Sequence, residues 1–149
     1  MLNEKISTVQ KLITIGTAIE KYLTSQLKTY QITCNEWLVL TFLAESGPNG
    51  EIHDLRYNYL FDAIELCYLL ENLEQKKLVQ CQRHKSLKTI YGVKITASGE
   101  AVVEKTQPMV EKYGSYLLQK LDCTVDNLPL GLVFFNSNLD QILLGMHIK

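Results

Sequence analysis

The side chains best suited to chemistry in this sequence are four cationic or protonatable groups packed into one short stretch, Arg83, His84, Lys85 and Lys88. Such a cluster attracts phosphate oxygens, because Arg and Lys donate charge-assisted hydrogen bonds to them. The same run equally suits the solvated tip of a hairpin. A second group, Arg56, Tyr57, Asn58 and Tyr59, offers one cation, one amide and two phenols, where phosphate contact and simple packing of the tyrosines are both open. Between the two lie Asp62 and Glu65, spaced three apart as in a helix cap.

A catalytic constellation is not legible. The chain has no phosphate-binding Gly loop, no Gly-x-Ser-x-Gly elbow, and no paired carboxylates beside a supporting base, so no enzyme is expected and no catalytic residue is assigned. His53, His84 and His147 match no ligand motif, and Cys34, Cys67, Cys81 and Cys123 are scattered without a C-x-x-C pair. Neither a metal, another cofactor nor a disulfide framework is expected. Buried, inert thiols are the plainest reading, with Cys34, near a helix start, the most plausible reactive one. Trp37 and the tyrosines suit either a core or the lining of an effector pocket.

At 149 residues and 46% hydrophobic content, the chain can build one substantial core. A formal charge of -1 neither demands nor excludes a polyanionic partner, so any basic surface must be local. No apolar run approaches the roughly 20 residues that cross a bilayer, and Leu2, Asn3, Glu4 and Lys5 do not open a signal sequence. A cytoplasmic protein without membrane contact is expected.

The elements that must hold these groups follow from hydrophobic spacing. From Leu2 to Tyr30 there is no Pro, and Ile6, Val9, Leu12, Ile13, Ile19, Leu23, Leu27 and Tyr30 recur at helical steps. At 1.5 Å per residue this rod reaches on the order of 40 Å, more than one small core can cover, so part of its stripe should meet another subunit. Thr33 and Glu36 form a capping box that starts a second helix through Leu43, and Gly47, Pro48, Asn49 and Gly50 end it. A short third helix or turn spans Glu51 to Tyr57, and a fourth helix runs from Asp62 to Lys77 with Ile64, Leu66, Leu69, Leu70 and Leu73 as its apolar residues. The period then changes: Leu78 to His84 and Thr89 to Ile95 read as strands, with Lys85, Ser86, Leu87 and Lys88 as the tip between them. Thr96 caps a fifth helix that Pro108 should kink, and a sixth starts near Thr124 or Asp126, tolerates Pro129 in its first turn and continues to Leu143.

This order resembles the MarR family of bacterial transcription regulators, and Asn35 through Leu43 is similar to its SarA-like branch. Leu55, Leu60, Leu66, Leu69, Leu70, Leu73, Glu74, Lys76, Leu78 and Val79 resemble the family pattern for the helix-turn-helix and the entry to the wing. Ile95-Thr96-Ala97-Ser98-Gly99-Glu100 is similar to its Leu-Thr-x-x-Gly junction after the wing. The expected fold is mainly α with a small β-hairpin wing: a winged helix-turn-helix with long N- and C-terminal dimerisation helices. It forms a single domain over 1–149, with the winged helix-turn-helix at 33–96 and dimerisation helices at 1–32 and 97–149.

The resemblance implies a homodimer that regulates transcription by binding double-stranded DNA, its two recognition helices entering major grooves about one helical turn, roughly 34 Å, apart. Arg83, His84, Lys85, Lys88, Arg56, Asn58, Glu65 and Tyr68 are then the candidate DNA contacts, Glu65 as acceptor for a cytosine amino group. Ile6, Val9, Leu12, Ile13, Leu117, Leu121, Phe134, Leu139 and Leu143 are the candidate dimer contacts. Some relatives sense oxidants through a cysteine thiolate.

The chain departs from the family in two places. Where the family carries an Asp-x-Arg or Asp-Glu-Arg wing signature, this sequence has Ser86-Leu87-Lys88-Thr89, leaving Lys88 as the substitute cation. The fourth helix opens Asp62-Ala63-Ile64-Glu65, and residues 60 to 77 hold four acids against two bases. Acids oppose the counterion release that drives DNA affinity. The alternative is a winged-helix dimer whose acidic fourth helix binds a regulatory protein instead of DNA.

Overall fold

The computed structural model describes residues 3–47, 50–120 and 128–147. The described elements run α1 (Glu4–Leu27), α2 (Cys34–Ser46), α3 (Ile52–Tyr59), α4 (Ala63–Gln75), β1 (Val79–Arg83), β2 (Ile90–Ile95), α5 (Ala97–Lys120) and α6 (Leu128–His147). The two strands pair antiparallel, giving the expected mainly helical chain with one hairpin.

Element ends follow local chemistry. Asn3 caps α1, and a 3-10 turn, Lys28–Tyr30, completes the expected first rod. The α2 capping box forms in full: Glu36 N–H donates to Thr33 Oγ1 at 3.2 Å, and Thr33 N–H donates to Glu36 Oε2 at 3.0 Å. Gly47, at φ 58 and ψ -144, ends α2 in a region of backbone space that residues with a Cβ enter only at a cost of about 1–3 kcal/mol. At α4 only half of the box exists: Asp62 accepts from Glu65 N–H at 2.7 Å, and the Glu65 carboxylate remains at the exposed surface. Helix α5 runs unbroken through Pro108, which withdraws one donor from its ladder. Pro129 sits in the first turn of α6 as described, while the expected starts at Thr124 and Asp126 lie outside the described residues.

The core lies where α2, α3, α4 and the hairpin converge, with Leu27, Leu40, Leu55, Leu66, Leu70 and Leu73 essentially inaccessible. Ile64 corrects the sequence reading. It was expected on the apolar stripe of α4, but it is 85% exposed, because it stands half a turn around the helix from Leu73.

Two junctions fix the hairpin against the helices. After α4, Lys77 takes φ 61 while Leu78 N–H donates to Leu73 O and Lys77 N–H to Glu74 O, a Schellman ending that turns the chain into β1. After β2, Thr96 Oγ1 donates to Lys77 O at 2.8 Å and accepts from Gly99 N–H at 3.1 Å, and Thr96 N–H donates to Leu78 O. Gly99 is packed so closely that a Cβ there would run into the Leu78 carbonyl and stand 2.7 Å from Ile95 Cγ1. The similarity of residues 95–100 to a Thr-x-x-Gly junction thus has a mechanical cause.

Candidate nucleic-acid interface

Helix α4 and the hairpin form one projecting face. The inner side of α4 is held by Leu66, Leu69, Leu70 and Leu73, which turns Ile64, Glu65, Cys67, Tyr68 and Glu71 to solvent. Beside it the hairpin extends past the core. His84 N–H donates to Thr89 O and Lys88 N–H to His84 O, closing the tip, and Lys88 holds φ 52. The pairing register slips between Gln82 and Arg83, so Tyr91 is the extra residue opposite them. Its ring packs on His84 at 4.6 Å between centroids.

The candidate cations divide into two kinds. Arg83 is engaged: its Nη2 donates to Glu74 Oε2 at 2.6 Å, while Glu74 Oε1 accepts from Cys81 N–H at 2.9 Å. One carboxylate of α4 therefore clamps both the backbone and the side chain of β1. The Arg83 hydrogen bond, then the Cys81 N–H, holds the Glu74 carboxyl below the ordinary range. Lys85 and Lys88 are exposed, and among the described residues no ion pair engages them or Arg56.

Arg56 and Lys88, far apart in sequence, face one groove of about 450 Å³ between α3, α4 and the tip end of the hairpin, floored by Ile52, Leu66, Leu70 and Ile90. His84 stands at the tip with Tyr91, and Asn58 is exposed on α3. Glu65 and Tyr68 lie outward on α4, with Tyr68 66% exposed. Ile64 is the outward residue that the sequence reading missed; its signal was its four-residue spacing to Tyr68.

A half-buried ion pair supports α4 from behind. Glu36, 2% exposed, accepts from Lys76 Nζ at 2.6 Å while still capping α2, so one carboxylate joins the start of α2 to the end of α4. On the other side of α2, Trp37 Nε1 donates to the fully buried Thr106 Oγ1 at 3.2 Å and ties α2 to α5. Trp37, Thr41, Glu45, Tyr59 and Gln107 help line a cleft of about 570 Å³ there. Burial, then Glu45, pushes the Tyr59 phenol up.

None of the described thiols is fully buried as expected, and Cys67 departs furthest. Cys67 is exposed, not buried, because it lies on the outer side of α4. Partial desolvation of the sulfur, then the Glu71 carboxylate 3.7 Å away, still pushes its thiol up. Cys81 is half-buried and pushed to about 11, chiefly by burial, then by Glu74. Cys34 is half-buried between Thr24 Oγ1 and the Glu20 carbonyl. Cys123 lies outside the described residues. Among the described residues, no three His, Cys, Asp or Glu side chains are grouped to hold a metal, and no helix is long and apolar enough to cross a membrane.

The expected dimer contacts remain open in the isolated chain. Ile6, Val9, Leu12 and Ile13 are 50–64% exposed on α1, and Leu139, Ile142, Leu143, Leu144 and Met146 are 38–56% exposed on α6. Leu117 is half-buried. Leu121 and the side chain of Phe134 lie outside the described residues.

No family model and no curated protein matches the chain. Solved structures do. The chain is similar to Staphylococcus aureus MepR in a complex with DNA, at TM-score 0.74 and 17% identity over 97% of this chain and 99% of that one. It is similar to AbsC, a MarR family transcriptional regulator from Streptomyces coelicolor, at TM-score 0.77 and 16% identity over 100% and 99%. It is also similar to the transcriptional regulator BldR from Sulfolobus solfataricus, at 0.71 and 22% over 95% and 99%. The described residues have the winged-helix fold of MarR regulators.

Proposed function

We propose that this protein is a homodimeric DNA-binding transcription regulator of the MarR type and performs no chemical step. The observation that most supports the reading is the likeness, over 97% of the chain, to MepR in a structure that contains DNA. In this reading α4 enters the major groove, and Lys85, Lys88 and Arg56 contact phosphates on either side of it. Arg83 contributes by positioning the wing.

Dimerisation is the other half of the proposal. The outward apolar residues of α1 and α6 form the kind of surface that a soluble monomer seldom leaves in water. Pairing two copies through them sets two winged heads side by side. Sedimentation at micromolar concentration should return a dimer; a stable monomer overturns this half.

The DNA half is tested by gel shift on promoter fragments at about 50 mM salt, where phosphate contacts are strong. A retarded complex that weakens steeply as salt rises is expected, and no complex at that salt rejects it. The acidic outward side of α4 favours a second reading, in which the face captures a basic regulatory protein. Asp62→Asn with Glu65→Gln separates the two, since Asn still caps the helix. DNA affinity rises if DNA is the partner; capture of the regulator falls if a protein is.

A further inference from the structure

Resting on that DNA reading, we infer that α4 reads sequence through thymine methyl groups, with Ile64 and Tyr68 as the specificity-determining side chains. Ile64 is 85% exposed and Tyr68 66% exposed, both on the side of the helix away from Leu66 and Leu73. They are one helical turn apart and therefore adjacent on that face. Nothing in the fold needs an Ile there: it packs on no core residue and caps nothing. Its side chain is therefore available to something outside the chain.

The surrounding chemistry narrows what that is. The first two turns of a recognition helix are the part that reaches base edges, and here their outward residues are Ala63, Ile64, Glu65, Cys67 and Tyr68. None carries the guanidinium, ammonium or amide that reads guanine or adenine by a bidentate pair. Of the features a major groove offers, the C5-methyl of thymine is the one that an aliphatic side chain and a ring edge recognise. Glu65 and Glu71 on either side repel phosphates, which discourages the helix from settling on the backbone. The phosphate contacts fall to Arg56, Lys85 and Lys88.

Deoxyuridine differs from thymidine by that methyl group, so it tests the inference directly. Duplexes would be selected from a random-sequence pool with the full-length protein, and each thymine of the selected site then replaced by deoxyuridine. At one or two positions per half-site, affinity should fall about fourfold per methyl lost, the worth of one buried methyl-sized group. Ile64→Ala, or Tyr68→Ala for its own position, should bring the ratio of thymine to deoxyuridine affinities at that position back to about one, whatever the variant does to affinity overall. Both side chains are outside the core, so circular dichroism should show both variants folded.

Binding that is indifferent to every thymine-to-uracil replacement overturns the inference and leaves the DNA reading standing. So does a penalty that survives in both alanine variants. Failure to select any duplex at about 50 mM salt overturns the DNA reading itself, and the inference with it.

Discussion

The Glu74 carboxylate bridges β1 by holding the Arg83 guanidinium at 2.6 Å through one oxygen and the Cys81 N–H at 2.9 Å through the other. The one arginine of the hairpin is thereby committed to keeping the wing on α4, and its charge is largely neutralised toward an incoming polyanion. Glu74→Gln should cost about 1 kcal/mol, since the pair is partly solvated and the backbone bond can persist to the amide oxygen. The same variant should bind DNA more tightly, because it frees one cation per head. Urea unfolding and duplex titration would show the two effects with opposite signs.

The pH dependence of this clamp follows from its cause. Arg83 and the Cys81 N–H lower the Glu74 carboxyl from 4.5, so the clamp contributes fully above that value. Its contribution is lost as pH falls through the lowered folded value. Stability of wild type and Glu74→Gln, measured from pH 7 to pH 3, should therefore converge at the acid end.

Glu36 and Lys76 form the second ion pair, and here the burial is unequal: the carboxylate is 2% exposed, while 35% of the lysine side chain is accessible. Lys76→Met leaves a buried negative charge with only the Thr33 N–H as partner, and should cost about 3 kcal/mol. Glu36→Gln should cost less, because Gln still completes the capping box and Lys76 can turn to water. The order of the two, read by urea unfolding, is the test.

Gly99→Ala should be among the most damaging single-methyl additions in the chain. The added Cβ meets backbone at Leu78 and the Ile95 side chain, neither of them a flexible chain end, so a loss of about 2–3 kcal/mol is expected. Thermal unfolding would register it.

The thiols should be slow. With its thiol near 11, Cys81 at pH 8 holds roughly 100-fold less thiolate than an ordinary cysteine at 9.0, and its iodoacetamide labelling should lag accordingly. Cys67, though exposed, should also label more slowly than a free thiol. Mass spectrometry after timed alkylation would measure both, and rapid labelling at Cys81 would contradict the packing around it.

How far the sequence revealed the fold can be judged residue by residue. Helices, hairpin and order were legible because Leu66, Leu69, Leu70 and Leu73 mark a face by period, and Thr33 with Glu36 marks a helix start by chemistry. Ile64 was misplaced because hydrophobicity announces apolar character, not the side of a helix on which it falls. The clamp of Arg83 by Glu74 joins two elements, and nothing local in either segment encodes it. Likewise the meeting of Arg56 with Lys88 across one groove is a product of the turn at Leu60, where the chain takes φ 59.

The most direct test of the account is the salt dependence of duplex binding by wild type and by a Lys85→Ala, Lys88→Ala double variant. Three free cations on each of two heads should give a log–log slope of about -5 for wild type and about -2 for the variant. A duplex affinity that ignores salt, or a slope that the double variant leaves unchanged, would contradict it.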